Sequence, residues 1–227
     1  MKKLVICGTA PSWQLAPFND PEYEIWILND MYSYIPRYDV LFEIHEINHL
    51  RKFYIRNSVT KKCHLDEMAK LTKPIYMQQH HEAIPASIEY PLNEIQEEFG
   101  GYFTNTISYM LALAIKHGYD HISLFGVNMA GDTEYNTQRP SCEYFIGLAR
   151  GQGIEIYIPE QSDLLKTAFL YGYEDIKCDF LTTKFREREK HLTSELEKAQ
   201  ENLKAYERLV LQYDGALQDL KHTMKFI

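Results

Sequence analysis

The stretch from Tyr109 to Asn128, YMLALAIKHGYDHISLFGVN, constrains the fold more than any other part of the chain. Tyr109, Ala112, Leu113 and Ile115 give a helix its apolar faces. Gly118 stands where a helix C-terminal glycine belongs, because glycine takes the left-handed conformation without a Cβ penalty. His121–Phe125 is then a short apolar run stopped by Gly126. Polar groups directly after such a run mark the carboxyl end of a buried parallel strand, where open α/β sheets bind ligands.

The same grammar recurs along the chain. Lys3 to Cys7 reads as a central strand, apolar throughout, ending in Gly8-Thr9-Ala10-Pro11-Ser12. Glu24 to Leu28 is a second strand, followed by Asn29-Asp30. Asp39 to Ile44 is a third, with Glu43 and His45 at its end. Pro74 to Met77 and Ile154 to Ile158 supply two more. Between them, 46–73 reads as helix and loop with an amphipathic Leu65–Leu71, and 78–101, broken by Pro85, Pro91 and Gly100-Gly101, reads as an irregular surface excursion. Gln138–Arg150 reads as a helix with Pro140 in its first turn, where a missing N–H costs nothing. Gln161 or Ser162 caps a further short helix. The pattern predicts one Rossmann-like α/β domain with a mostly parallel sheet over residues 1–170.

Beyond it, 171–227 reads as a linker and a heptad helix. Leu192, Leu196, Ala199, Leu203, Tyr206, Val210, Tyr213, Leu217, Leu220 and Met224 follow one another in alternating steps of four and three. That is coiled-coil spacing, and it predicts homo-oligomerisation through 192–224. The alternative is a long helix folded back on the domain.

Charge narrows the partners. A net charge of −8 gives no basic surface for non-specific nucleic-acid binding. The four cysteines, Cys7, Cys63, Cys142 and Cys178, form no CxxC pair, so the expectation is reduced thiols and no zinc site. The apolar run Leu4–Cys7 is too short for a signal peptide or a membrane span, so the chain is read as cytoplasmic.

The loop Cys7–Ser12 lacks the GxxxxGK[ST] of a P-loop and the GxGxxG of a dinucleotide site. As a strand-to-turn element it offers backbone N–H groups and the Ser12 hydroxyl to an anion. Its plainer reading is a tight turn. Asn29 can read a base or sugar edge, or simply start a turn. Glu43 and His45 lie two apart on a strand end and so share a face; either can act as a general base. Thr104, Asn105 and Thr106 open the central helix, as caps and as an anion site. Glu134 and Tyr135, with Arg139, form the last candidate group. Arg139 can clamp a phosphate, or pair with Glu134 or Glu143. His80-His81 lacks a third ligand at metal spacing and is discounted.

These residues bear a family resemblance. Met1–Ser12, with its Gly8-x-x-Pro11-Ser12 turn, resembles the opening of the CMP-sialic-acid-dependent bacterial sialyltransferases of the Campylobacter type. Leu28-Asn29-Asp30 resembles their second strand end. Tyr109–Tyr119 and Ile122–Asn128 are similar to their helix and following strand, and Ile156–Leu164 resembles a late segment. The resemblance covers 1–45 and 104–170. It implies a nucleotide site lined by Gly8, Pro11, Ser12 and Asn29, with Thr106 in the place of a family serine, Asn128 in that of an aspartate and Tyr135 near the phosphate; Thr9 and Gly126, in the same turns, complete the candidate nucleotide-binding set. It departs at the family's catalytic histidine: no histidine lies between His121 and His191. Similar signals occur in archaeal pterin pyrophosphokinase-like proteins and are expected in phage-encoded ones.

The expectation is therefore a nucleotide-sugar-dependent glycosyltransferase of sialyltransferase-like type, needing no metal and no cofactor beyond its nucleotide-sugar donor. The alternatives are a catalytically silent nucleotide-sensing module assembled through its tail, which the missing histidine favours, and a Mg²⁺-dependent pyrophosphokinase.

Overall fold

The computed structural model describes residues 1–52, 57, 59–129, 133–167, 169–177 and 179–224; side chains at 52, 133–136, 169, 174–177, 179–185 and 187–188 lie outside that description. The chain divides into two compact units, Met1–Leu165 and Lys166–Ile227.

The first unit is built on seven strands: β1 (Lys3–Cys7), β2 (Tyr23–Leu28), β3 (Val40–Phe42), β4 (Ile75–Met77), β5 (Ser87–Glu89), β6 (His121–Phe125) and β7 (Glu155–Tyr157). They form one sheet in the order β5-β4-β3-β2-β1-β6-β7, and every neighbouring pair is parallel. The fold is α/β and Rossmann-like. β1 is central because both its faces are apolar, and alternation sorts its side chains. Leu4 and Ile6 join Trp26, Leu28, Phe42, Ile122 and Leu124 on one face. Val5 and Cys7 join Ile25, Ile27, Leu41, Ile75 and Phe125 on the other.

The first face is covered by α3 (Leu92–Phe99), α4 (Thr106–Lys116) and α5 (Thr133–Gly151). Met110, Leu111 and Ala114 of α4, and Phe145 and Ile146 of α5, are fully buried there. The second face carries less regular cover: 3-10 turns at Pro11–Leu15 and Met31–Ser33, and α2 (His64–Met68). A short α1 (Ile47–Lys52) precedes α2. Cys7, Cys63 and Cys142 are free thiols; burial pushes Cys7 up to about 12.

Three expectations need correction. The stretch 78–101 is not irregular: it contains β5 and α3. Pro85 precedes β5 and Pro91 is the residue just before α3, so the prolines bound elements instead of abolishing them. Pro140 lies inside α5, which starts five residues earlier than Gln138, at Thr133. Among the described residues, none between Ser162 and Phe169 is helical; the Ser162 hydroxyl donates to the Val127 carbonyl at 2.6 Å and ties that segment to the end of β6.

The second unit holds a two-stranded antiparallel hairpin, β8 (Phe169–Leu170) and β9 (Tyr173–Lys177), and α6 (Asp179–Thr223). The hairpin was not anticipated. Within this unit α6 shows its large heptad side chains exposed, Leu203 at 59% and Leu217 at 52%. Among the described residues, no helix is long and apolar enough to cross a membrane.

Candidate functional site at the carboxyl edge of the sheet

Strand order turns at β1. The chain steps outward from β1 through β2 to β5, then returns to lay β6 on the other side. This is the switch point of the strand order, where the loops after β1 and β6 lead off in opposite directions and open α/β sheets bind ligands.

The floor here is two glycines in mutual contact. The Gly8 N–H donates to the Phe125 carbonyl and the Ala10 N–H to the Gly126 carbonyl, both at 2.8 Å. A Cβ on Gly8 would stand 2.5 Å from the Gly126 oxygen, and one on Gly126 would stand 2.0 Å from the Gly8 oxygen. Gly126 also holds φ at +68°, where glycine is favoured. The buried Ser12 hydroxyl accepts the Gly126 N–H at 3.0 Å. The N–H groups of Gly8 and Ala10, expected to face an anion, are thus spent on β6, and Ser12 braces the same contact. Thr9 and Pro11 are exposed at the loop tip.

The loop beyond Gly126 is clasped from below. The Met129 N–H donates to both Asp163 carboxylate oxygens, at 2.8 and 3.0 Å. Arg139 donates through Nε to Glu143 at 2.8 Å and through Nη2 to the Asp163 carbonyl at 3.1 Å, so one of its expected plain roles, pairing with Glu143, is realised. Glu134 and Tyr135 fall in the first turn of α5, but their side chains lie outside the described residues.

The start of α4 faces the same edge, since α4 runs back antiparallel to the strands. Asn105 is its N-cap, accepting the Ser108 N–H at 2.8 Å. Thr104 shares a 2.6 Å hydrogen bond with Ser141 of α5, and the Asn105 amide donates to the Gln138 carbonyl at 2.7 Å. Phe103, stacked between Tyr109 and Phe145, fixes the approach to this cap. Thr106 is the first helical residue.

Two asparagines stand out. Asn29, one residue past β2, takes φ +54°, a conformation asparagine tolerates better than most side chains. Its N–H donates to the Phe42 carbonyl of β3 at 3.0 Å. The Oδ1 atoms of Asn29 and of Asn128 are buried and accept no hydrogen bond among the described residues. An unsatisfied buried acceptor costs about 1–3 kcal/mol. The third such atom, His121 Nδ1, sits at the opposite end of β6 and lies 3.1 Å from the Glu155 carboxylate, which gives it an electrostatic partner. The asparagine oxygens have none. β2 and β6 flank β1, so the two loops are separated by about 10 Å, twice the interstrand spacing.

Next to Asn29, at the end of β3, Glu43 is 1% exposed. Its Oε1 accepts His45 Nδ1 at 2.5 Å and its Oε2 accepts His64 Nε2 at 2.8 Å. Burial alone would lift this carboxyl; hydrogen bonds from the two imidazoles outweigh burial and hold it at about 2. Glu43 is therefore a fixed anion rather than a base. The half-exposed His45 is the member of the pair able to exchange a proton with a ligand. His64, missed in the sequence, lies 21 residues downstream, and no spacing rule links it to Glu43. Among the described residues, no group of three or more His, Cys, Asp or Glu is arranged to hold a metal ion.

No protein-family model matches the chain, and no curated protein sequence matches it. Solved structures with a similar fold include the sialyltransferase CstII from Campylobacter jejuni in complex with CMP-3FNeuAc, at 16% identity and a TM-score of 0.47 over 70% of this chain and 80% of that one. Sialyltransferase CST-II in complex with a trisaccharide acceptor and CMP aligns at 15% identity and 0.46, over 79% and 87%. The alpha-2,3-sialyltransferase from Campylobacter jejuni in apo form aligns at 17% and 0.43, over 79% and 81%.

Proposed function

We propose that this chain is a nucleotide-sugar-dependent glycosyltransferase. The observation that carries the reading is the pair of unsatisfied amide oxygens, Asn29 and Asn128, on the two loops flanking the glycine floor. Acceptors so placed suit the amine of a nucleobase and the hydroxyls of a ribose. Both oxygens are buried, so the loop tips part as the ligand enters. Gly8 and Gly126 give the site its floor, with Thr9 and Pro11 at its rim. Thr104, Asn105 and Thr106 present the positive end of α4 to the phosphate. Tyr135 and Arg139 offset charge on the departing phosphate, so that no metal is needed. His45, aimed by Glu43, takes the proton of the acceptor hydroxyl, and Glu134 is the reserve candidate for that role. This arrangement stands in for the histidine that the sialyltransferase family carries elsewhere.

The test is a calorimetric titration of CMP, UDP and GDP sugars, paired with product analysis. Sub-millimolar binding of one nucleotide class, with sugar transfer or hydrolysis, is expected. No heat at millimolar ligand refutes the reading. Binding with no transfer or hydrolysis, in wild type as in the triple variant Glu43→Gln, His45→Ala, Glu134→Gln, would instead assign a binding-only function.

We also propose that α6 pairs with a second copy of itself. The apolar heptad positions from Leu192 to Met224 are the occupant's match, because each copy offers the other the same exposed seam. Sedimentation of the full chain should give an oligomer, and Leu203→Glu with Leu217→Glu a monomer. A monomeric wild type at tens of micromolar refutes this.

A further inference from the structure

Glu43 does not stand on His45 alone. Behind it lies a line of groups with no role in the reading above. His64, 2% exposed at the start of α2, holds Glu43 Oε2 through Nε2, and its Nδ1 meets the Tyr32 hydroxyl at 3.0 Å. The Tyr32 and His64 rings also lie nearly parallel, 15° apart. The chain Tyr32, His64, Glu43, His45 thus crosses three elements: the turn after β2, the end of β3 and α2.

The hydrogen-bond roles along this line fix one another. Glu43 is an anion and accepts at both oxygens, so His64 donates from Nε2 and His45 donates from Nδ1. The Tyr32 phenol is pushed up to about 12 by burial, against a lowering hydrogen bond from Asn57, and so keeps its proton. It therefore donates to His64 Nδ1 when that ring is neutral. Asp30 and Glu67 face the same phenol and raise it further. The consequence reaches His45. With Nδ1–H pinned to the carboxylate, Nε2 is the nitrogen left as the basic one.

We infer that His64 and Tyr32 are positioning residues: they hold Glu43 as an oriented anion, which fixes the tautomer of His45 and sets the pH at which its imidazole gains a proton. The catalytic consequence rests on the glycosyltransferase reading; the tautomer and titration of His45 do not.

The experiment is imidazole ¹H–¹⁵N correlation on the full-length protein across a pH series, in wild type, Glu43→Gln, His64→Leu, His64→Gln and Tyr32→Phe. In wild type, His45 shows the Nδ1–H tautomer. Its titration midpoint falls by about one unit in Glu43→Gln, where the paired anion is gone. It rises by a smaller step in His64→Leu, where Glu43 loses one donor and its charge bears more fully on His45, and returns toward wild type in His64→Gln, whose amide can still donate. If His64→Leu does not fold, Tyr32→Phe, which removes one hydroxyl and no carbon, carries the same prediction with a smaller step. A His45 midpoint and tautomer unmoved in Glu43→Gln and in the His64 or Tyr32 variants overturn the inference, whatever the transfer assays give. The expected shifts without transfer activity in any protein would uphold the positioning role and remove the glycosyltransferase reading.

Discussion

The carboxyl ends of β1 and β6 and those of β2 and β3 lie on one edge of one sheet, yet they are built from different materials. The first pair is closed by backbone: Gly8 and Gly126 touch, the Gly8 N–H donates to Phe125, the Gly126 carbonyl accepts from Ala10, and Ser12 adds a hydroxyl brace. The second pair ends in side chains: Asn29 with an unsatisfied oxygen, then Glu43 between two imidazoles. Backbone contact gives the edge its shape, and side-chain chemistry beside it gives the edge something to do. Substitutions in the glycine contact should act on stability, and those at the side chains beside it on function.

The largest effect breaks that contrast from the backbone side. Gly126→Ala must place a methyl group 2.0 Å from a backbone oxygen and hold φ at +68°, so it should lose about 3 kcal/mol or more in urea unfolding. Glu43→Gln comes next and acts the other way. It should lower transfer about 10²-fold with nucleotide affinity unchanged, read as a drop in kcat. It should also change the acid limb. A carboxyl held at about 2, below its ordinary 4.5, stabilises the fold above the higher value, and that stability is lost as pH falls toward the lower. Wild type should therefore lose stability faster than Glu43→Gln between those two pH values in acid titrations followed by circular dichroism. Asn29→Gly sharpens the comparison. Glycine accepts φ +54° more readily and removes the unsatisfied oxygen, so the empty protein should gain up to about 1 kcal/mol while nucleotide binding weakens about tenfold. Ser12→Ala is the smallest, about 1 kcal/mol of stability for one lost hydrogen bond, with no direct effect on affinity.

The parts legible in the sequence are those dictated by short-range rules. The strands Lys3–Cys7 and His121–Phe125 come out with the same bounds, because an unbroken apolar run closed by glycine admits few other readings. Asn105 as a cap follows from its residue type. The misses have physical causes too. β5 lies between Pro85 and Pro91 and α3 begins directly after Pro91, and prolines so close to elements this short mask their pattern. A proline suits a first turn, which sets the expected start of α5 at Gln138, yet Pro140 sits in the interior of a helix that begins at Thr133. His64 and Tyr32 meet Glu43 only through tertiary packing, and nothing in a linear pattern couples positions 32, 43 and 64. The commitment of Gly8 and Ala10 N–H groups to β6 was equally out of reach, since it depends on which strand lies beside β1.

The central claim is that Asn29 and Asn128 read a nucleoside from opposite sides of β1. The most direct measurement is nucleotide-sugar affinity, by calorimetry, in wild type and in the Asn29→Gly, Asn128→Ala double variant. The account predicts that the double variant folds with undiminished thermal stability and binds about 10²-fold more weakly, one factor of ten for each lost acceptor. Equal affinity in the two proteins would contradict it.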